Sequence, residues 1–135
     1  MEYKLEKPII GKIGKELYKV TLEWRNGTLL ADEPITAGGK DLGPDPYSLF
    51  LSSLASCTLS TLRMYIDRKG WDIPEITVSV NMYQTESEVL TTTIIRDIHF
   101  ADTVPAEQKE RLLLIAKKCP VSKILENKII INTTV

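Results

Sequence analysis

From Glu16 to Trp24 apolar and polar positions alternate: Leu17, Val20, Leu22 and Trp24 against Glu16, Lys19, Thr21 and Glu23. This is the period of a half-buried strand, with a slip between Leu17 and Val20 that implies a bulge or an offset start. Asn26-Gly27 follows as a two-residue hairpin turn, and Thr28-Leu29-Leu30 returns as the partner strand. Tyr3–Ile13 adds another strand segment, broken by Pro8 and Gly11. Residues 31–46, with Pro34, Gly38, Gly39, Gly43, Pro44 and Pro46, read as a loop. Loops this long in a compact domain either carry function or lie disordered.

The longest signal is helical. Asp45 is placed as N-cap, Pro46 suits the first turn, and no breaker occurs before Gly70, which is a natural C′ stop. Leu49, Phe50, Leu51, Leu54, Ala55, Cys57, Leu59, Leu62, Tyr65 and Ile66 cover most of this helix's circumference. A helix apolar all round needs cover on all sides. One small domain supplies few covering elements, so the pattern implies a homodimer that sandwiches two such helices. After a turn at Trp71–Pro74, Glu75–Gln84 alternates as a strand with Ile76, Val78, Val80 and Met82 on one face. Val89–Phe100 is its hairpin partner across Glu86-Ser87-Glu88. Pro105–Lys118 is an amphipathic helix with Leu112, Leu113, Ile115 and Ala116 inward. Pro120 opens a short helix to Glu126 with Cys119 near its N-cap, and Ile129–Thr134 closes the chain as a strand. The order predicts a single α+β domain, 1–135, with mainly antiparallel pairing.

Composition adds mostly exclusions. The 135 residues are 43% hydrophobic and 26% charged, with a net charge of −1 and no run of Lys or Arg. No basic field recruits nucleic acid or an acidic membrane. The N-terminus, Met1 to Lys7, is charged and lacks the apolar core of a secretory leader. The apolar stretch Leu49–Leu62 is interrupted by Ser and Thr and reads as too short to span a bilayer. The expectation is a soluble cytoplasmic protein.

Candidate chemistry is sparse. The chain has two cysteines, Cys57 and Cys119, and one histidine, His99. That set does not make an ordinary four-ligand zinc site, and no metal is expected. In a reducing compartment the two cysteines are either inert or a redox pair. By residue type alone, Cys57 in an apolar helix is a small core hydrophobe and Cys119 a helix cap. His99 reads as a surface or packed strand residue, Trp24 and Trp71 as core or rim anchors, and Arg63 and Arg68 as a solvated or salt-bridged helix end. The acidic loop of Asp32, Glu33, Asp41 and Asp45 reads as a solvated loop with turn-forming aspartates, against a metal site as the sharper alternative. Gly38-Gly39 lacks the spacing of a phosphate-binding loop.

Three segments together carry a resemblance. They are Ala31-Asp32-Glu33-Pro34 with Gly38-Gly39 and Gly43-Pro44-Asp45-Pro46; Leu49-Phe50-Leu51-Ser52-Ser53-Leu54-Ala55-Ser56-Cys57-Thr58, running on to Arg68-Lys69-Gly70-Trp71; and Ala116-Lys117-Lys118-Cys119-Pro120-Val121-Ser122. In these, the chain resembles the OsmC/Ohr family of thiol-dependent hydroperoxide reductases, over roughly residues 15–135. The resemblance implies an intertwined homodimer with long central helices and two interface sites. It also implies that Cys57 attacks a small apolar hydroperoxide and that Cys119 resolves the sulfenic acid to a disulfide. A dithiol reductant such as a lipoyl group is then the co-substrate, and no bound cofactor is implied.

The chain departs from the family's best-studied branches in one respect. There, an arginine from the N-terminal half, held by a glutamate after the helix-start proline, supplies the charge that a thiolate needs. Here Tyr47 and Ser48 follow Pro46, and no arginine lies between Arg25 and Arg63. Arg25 and Lys40 are the candidate cations, Tyr47 a candidate donor to a peroxide oxygen, and Phe50 and Leu54 candidate pocket walls. The departure motivates an alternative, a non-catalytic dimer that binds a small molecule or senses oxidants through its thiols.

Overall fold

The computed structural model describes residues 2–135 and divides into two compact units, one ending at Phe50 and one running from Leu51 to Val135. In the first, β1 (Ile10–Ile13), β2 (Val20–Trp24) and β3 (Gly27–Ala31) form an antiparallel sheet in that order. The expected slip after Leu17 is the start of β2, which begins at Val20. Trp24 pairs with Gly27 in the hairpin and lays its ring over that glycine. It is 42% exposed, so it clasps a turn rather than anchoring a core.

The segment 31–46 is ordered around one carboxylate. Asp32 is buried, and its oxygens accept the backbone N–H groups of Tyr18, Glu33, Lys40 and Leu42 at 3.2, 2.8, 3.3 and 3.2 Å. The solvated reading of this aspartate is therefore corrected. A short loop buries its backbone donors only if they find acceptors, and one ionised side chain supplies four. Gly39 follows from the same crowding, since a Cβ there would lie 2.0 Å from the Glu33 carbonyl oxygen. Burial pushes the Asp32 carboxyl up, but the four amide bonds outweigh it and hold its pKa below the ordinary value.

The helix α1 (Pro46–Lys69) forms where the sequence places it. The Asp45 carboxylate accepts the Tyr47 amide at 3.1 Å and the Ser48 hydroxyl, which caps its first turn. At the other end Gly70 takes a positive φ of 69°. Its N–H and that of Trp71 return to the carbonyls of Asp67 and Ile66, both at 3.1 Å. Arg63 extends this end by donating to the carbonyls of Ile73 and Pro74, at 2.9 Å each.

In the second unit β4 (Thr77–Thr85) and β5 (Thr91–His99) form one hairpin, with Val80 opposite Arg96. Two further helices follow, α2 (Ala106–Ala116) and α3 (Pro120–Leu125). Leu62, Tyr65 and Ile66 of α1 pack with Ile73, Val104, Leu112, Ile115 and Ala116 in the core. Leu62, Ile66 and Leu112 are the largest apolar members fully removed from water, each contributing roughly 1.5–3 kcal/mol by burial. Trp71 packs on this cluster edge-on to Tyr65, with ring centroids 5.6 Å apart. By length and composition α1 could cross a membrane. Its buried stripe instead meets this protein core, so the sequence-based reason, that it is too short, is not the one that applies.

Two expectations are corrected in this unit. Leu113 is 52% exposed, so α2 buries only Leu112, Ile115 and Ala116. Ile129–Thr134 forms no strand among the described residues. Its β-branched run has the propensity, but a strand exists only when its backbone groups are paired, and Ile129, Ile130 and Ile131 lie 54%, 70% and 84% exposed.

Because the folded pKa of Asp32 is depressed, its contribution to stability is complete above the ordinary carboxylate range. It is lost as pH falls through the lower, folded value. Amide exchange at Tyr18, Glu33, Lys40 and Leu42 should accelerate together in that acid window, and Asp32→Ala should show the fast rates at neutral pH. Independent exchange of the four amides would contradict a common acceptor.

Candidate functional site

Three elements converge on the Cys119 thiol. Cys119 is the N-cap of α3, with φ −62° and ψ 141°, and Pro120 occupies the first helical position. Its Sγ accepts the Ser122 N–H at 3.4 Å and lies 3.1 Å from the Ser122 hydroxyl. From α1, Thr58 Oγ1 approaches the sulfur to 3.9 Å, and the Cys57 side chain lies beside it. From β5, Arg96 Nη1 comes within 3.8 Å. Cys119, Thr58 and Ser122 are buried, whereas Cys57 and Arg96 are half-buried. Both cysteines are free thiols.

The hydrogens of this cluster have a direction. Arg96 only donates, and its Nη1 lies 2.8 Å from Ser122 Oγ and 3.0 Å from Thr58 Oγ1. Thr58 spends its own hydroxyl hydrogen on the Leu54 carbonyl at 2.7 Å, a bond within the helix. The Ser122 hydroxyl, while accepting from Arg96, still has its own hydrogen to give to the Cys119 sulfur. Burial pushes the Cys119 thiol up, but the bonds from the Ser122 hydroxyl and amide, with Thr58 and Cys57 beside the sulfur, outweigh it. The thiol pKa therefore lies below its ordinary value.

A cavity of about 390 Å³ adjoins the cluster. Leu54, Ile94, Ile98, Leu113 and Leu125 give it an aliphatic wall, and Arg96, Lys117, Ser122 and Glu126 polar positions. No group of three or more His, Cys, Asp or Glu suited to a metal is present among the described residues.

The sequence-predicted residues divide as follows. Cys57 and Cys119 are brought together, and Leu54 lines the cavity. Lys40 forms an ion pair with Glu16 at 3.3 Å in the first unit. Arg25 lies with Trp24 and residues 4–7 and 9 around a separate surface hollow. Tyr47 and Phe50 are 64% and 41% exposed on the first turns of α1. The cation at the thiols is Arg96, which the sequence reading did not single out. A signal was available: Thr92, Ile94, Arg96 and Ile98 alternate along one face of β5, which sets a charge among apolar inward positions.

The profile of the OsmC-like protein family matches residues 38–134. The chain belongs to this family. Its fold is similar to that of an OsmC-like protein from Mycoplasma pneumoniae, with a TM-score of 0.71, 20% identity, and coverage of 93% of this chain and 89% of that one. It is also similar to an organic hydroperoxide resistance protein OsmC from Legionella pneumophila, with a TM-score of 0.66, 20% identity, and coverage of 90% and 91%. A third similar structure is the organic hydroperoxide resistance protein OhrB of Bacillus subtilis, with a TM-score of 0.61, 20% identity, and coverage of 87% of each chain. A comparison with curated proteins finds no match. For this OsmC-like chain the likenesses establish the fold, and the α+β architecture with antiparallel sheets and a long helix agrees with the sequence expectation.

Thr58→Val keeps the shape of the buried side chain but deprives Arg96 of one acceptor. It should cost about 1–3 kcal/mol, measured by denaturant unfolding. A neutral result would mean that the guanidinium is satisfied without Thr58.

Proposed function

We propose that this OsmC-like protein is a thiol peroxidase for organic hydroperoxides, with Cys57 as attacking and Cys119 as resolving thiol. The observation that carries this reading is the contact between a half-buried and a fully buried cysteine. A peroxide reaches the first more readily than the second. Two of the similar structures are named organic hydroperoxide resistance proteins, which agrees with this direction. In the reaction the Cys57 sulfur displaces an alcohol from the hydroperoxide and retains one oxygen as a sulfenic acid. Cys119 then attacks that sulfur, the S–S bond forms, and the oxygen leaves as water. A dithiol reductant, of which a lipoyl group is one example, returns both cysteines to thiols. Such turnover requires a reducing setting, and the cytoplasm is the one we assign.

Intact mass after one equivalent of cumene hydroperoxide tests the chemistry. Wild type should lose two hydrogens, Cys119→Ser should gain one oxygen, and Cys57→Ser should not react. Wild-type protein left unreacted beside an active relative would sink the reading. The protein would then be a binding dimer, a reading favoured by the aliphatic cavity, whose volume lies within the range of small-molecule sites.

The working unit of this proposal is a homodimer. α1 buries one stripe, Leu54, Thr58, Leu62, Tyr65 and Ile66, and leaves Met64 69% exposed, while the C-terminal isoleucines are also uncovered. Analytical ultracentrifugation should find a dimer, weakened more than about tenfold by Met64→Glu. A monomer at micromolar concentration would remove this part.

A further inference from the structure

Arg96 presents its charge to the Cys119 sulfur, and the carboxylate that lines the same cavity, Glu126, is not paired with it. Among the described residues it forms no ion pair; all three salt bridges lie in the first unit. Its Nη1 carries two hydrogens, and the two short contacts, to Ser122 and Thr58, account for them. The third contact, 3.8 Å to the Cys119 sulfur, is then charge facing sulfur rather than a dedicated hydrogen bond. A half-buried guanidinium needs an anion or a full set of acceptors. Among the described residues, the one ionisable group hydrogen-bonded or ion-paired with it is Cys119.

The donors around the sulfur lead to the same place. The Ser122 N–H, the Ser122 hydroxyl and the Cys57 thiol all have a hydrogen to give to it. A protonated Cys119 would have Ser122 Oγ at 3.1 Å and Thr58 Oγ1 at 3.9 Å as acceptors for its own hydrogen. Both oxygens already accept from Arg96, which sets its positive charge on the side a thiol hydrogen would take.

We propose that Arg96 is the fixed positive charge that keeps the Cys57–Cys119 pair singly ionised, with Cys119 as the resting thiolate and Ser122 the hydroxyl that orients it. The catalytic consequence rests on the thiol-peroxidase reading; the charge assignment itself does not. Other charged groups are more distant in role: Lys117 at the end of α2 and Glu126 at the end of α3 line the adjoining cavity and do not bond to the sulfur. Asp97, next to Arg96, alternates to the exposed face of β5.

The arrangement supplies the base that the attacking cysteine lacks. As the Cys57 sulfur attacks the peroxide oxygen, its proton passes to the Cys119 thiolate, the O–O bond breaks, and the alkoxide takes a proton from water. Cys119 then loses its proton again beside Arg96. It attacks the sulfenic sulfur, and the S–O bond breaks to give hydroxide, which is protonated to water. The sum is two thiols and one hydroperoxide giving a disulfide, an alcohol and water. Arg96 is a positioning residue in this scheme, acting on the reacting sulfur through charge.

The test uses the reduced Cys57→Ser protein, whose single cysteine is Cys119, and follows thiolate absorbance in the ultraviolet against pH. With Arg96→Gln the midpoint should rise by about one to three pH units, and Arg96→Lys should restore most of the shift. An unchanged midpoint in a folded Arg96→Gln protein overturns the proposal. Nitrogen NMR of the Arg96 side chain, in the Cys57→Ser protein without any change at 96, covers the case where that variant does not fold. The guanidinium resonances should titrate with the same midpoint as the thiolate absorbance, and a flat response overturns the assignment. No peroxide is used in either experiment. A shifted midpoint in a protein that consumes no hydroperoxide would therefore uphold the charge assignment while removing the peroxidase reading.

Discussion

A guanidinium on the inner face of a two-stranded sheet is the constraint around which the second unit is organised. Arg96 belongs to β5, yet its acceptors come from α1 and α3. Removing such a group from water is costly unless each hydrogen is met, so Thr58 and Ser122 occupy positions where an apolar residue would otherwise serve the core better. Both hydroxyls are buried, and no described buried side-chain polar atom is left unpartnered. The relative placement of sheet, long helix and short helix is thus tied to a polar contact as well as to the apolar cluster of Leu62, Ile66 and Leu112.

The first unit solves the opposite problem by the same means. There the half that must be satisfied is a set of backbone donors, and the group that satisfies them is a carboxylate. Asp32 gathers amides from residues 18 to 42, which lets a loop with little regular structure hold one shape. In the first unit the ionised side chain is met by neutral backbone amides rather than by an opposite charge. Neutral partners are fixed by backbone geometry, so such contacts specify a conformation more tightly than a surface ion pair such as Lys12–Glu23.

Much of this was legible in the residues. The cap at Asp45, the stop at Gly70, the two hairpins and the nearness of Cys57 to Cys119 all follow from local chemistry or from the family resemblance. What stayed hidden depends on contacts distant in sequence. Arg96 lies 38 residues from Thr58 and 26 from Ser122, whereas the family resemblance points to a cation in the N-terminal half, where Arg25 and Lys40 lie. The burial of Asp32 was missed because an aspartate beside Pro34 and two glycines has the composition of a solvated turn. The Ile129–Thr134 strand was read from propensity, which describes how a segment would pair and not whether a partner is present.

Cys119 is both a redox-capable sulfur and the cap of a helix. The same lone pairs that receive the Ser122 amide and hydroxyl are those that any bond to the sulfur would use or weaken. A helix of six residues has little internal cooperativity with which to compensate for a lost cap. The start of α3 is therefore a built-in reporter: whatever chemistry Cys119 undergoes is written into the order of Pro120–Leu125, where a spectroscopic label could read the oxidation state without touching either thiol.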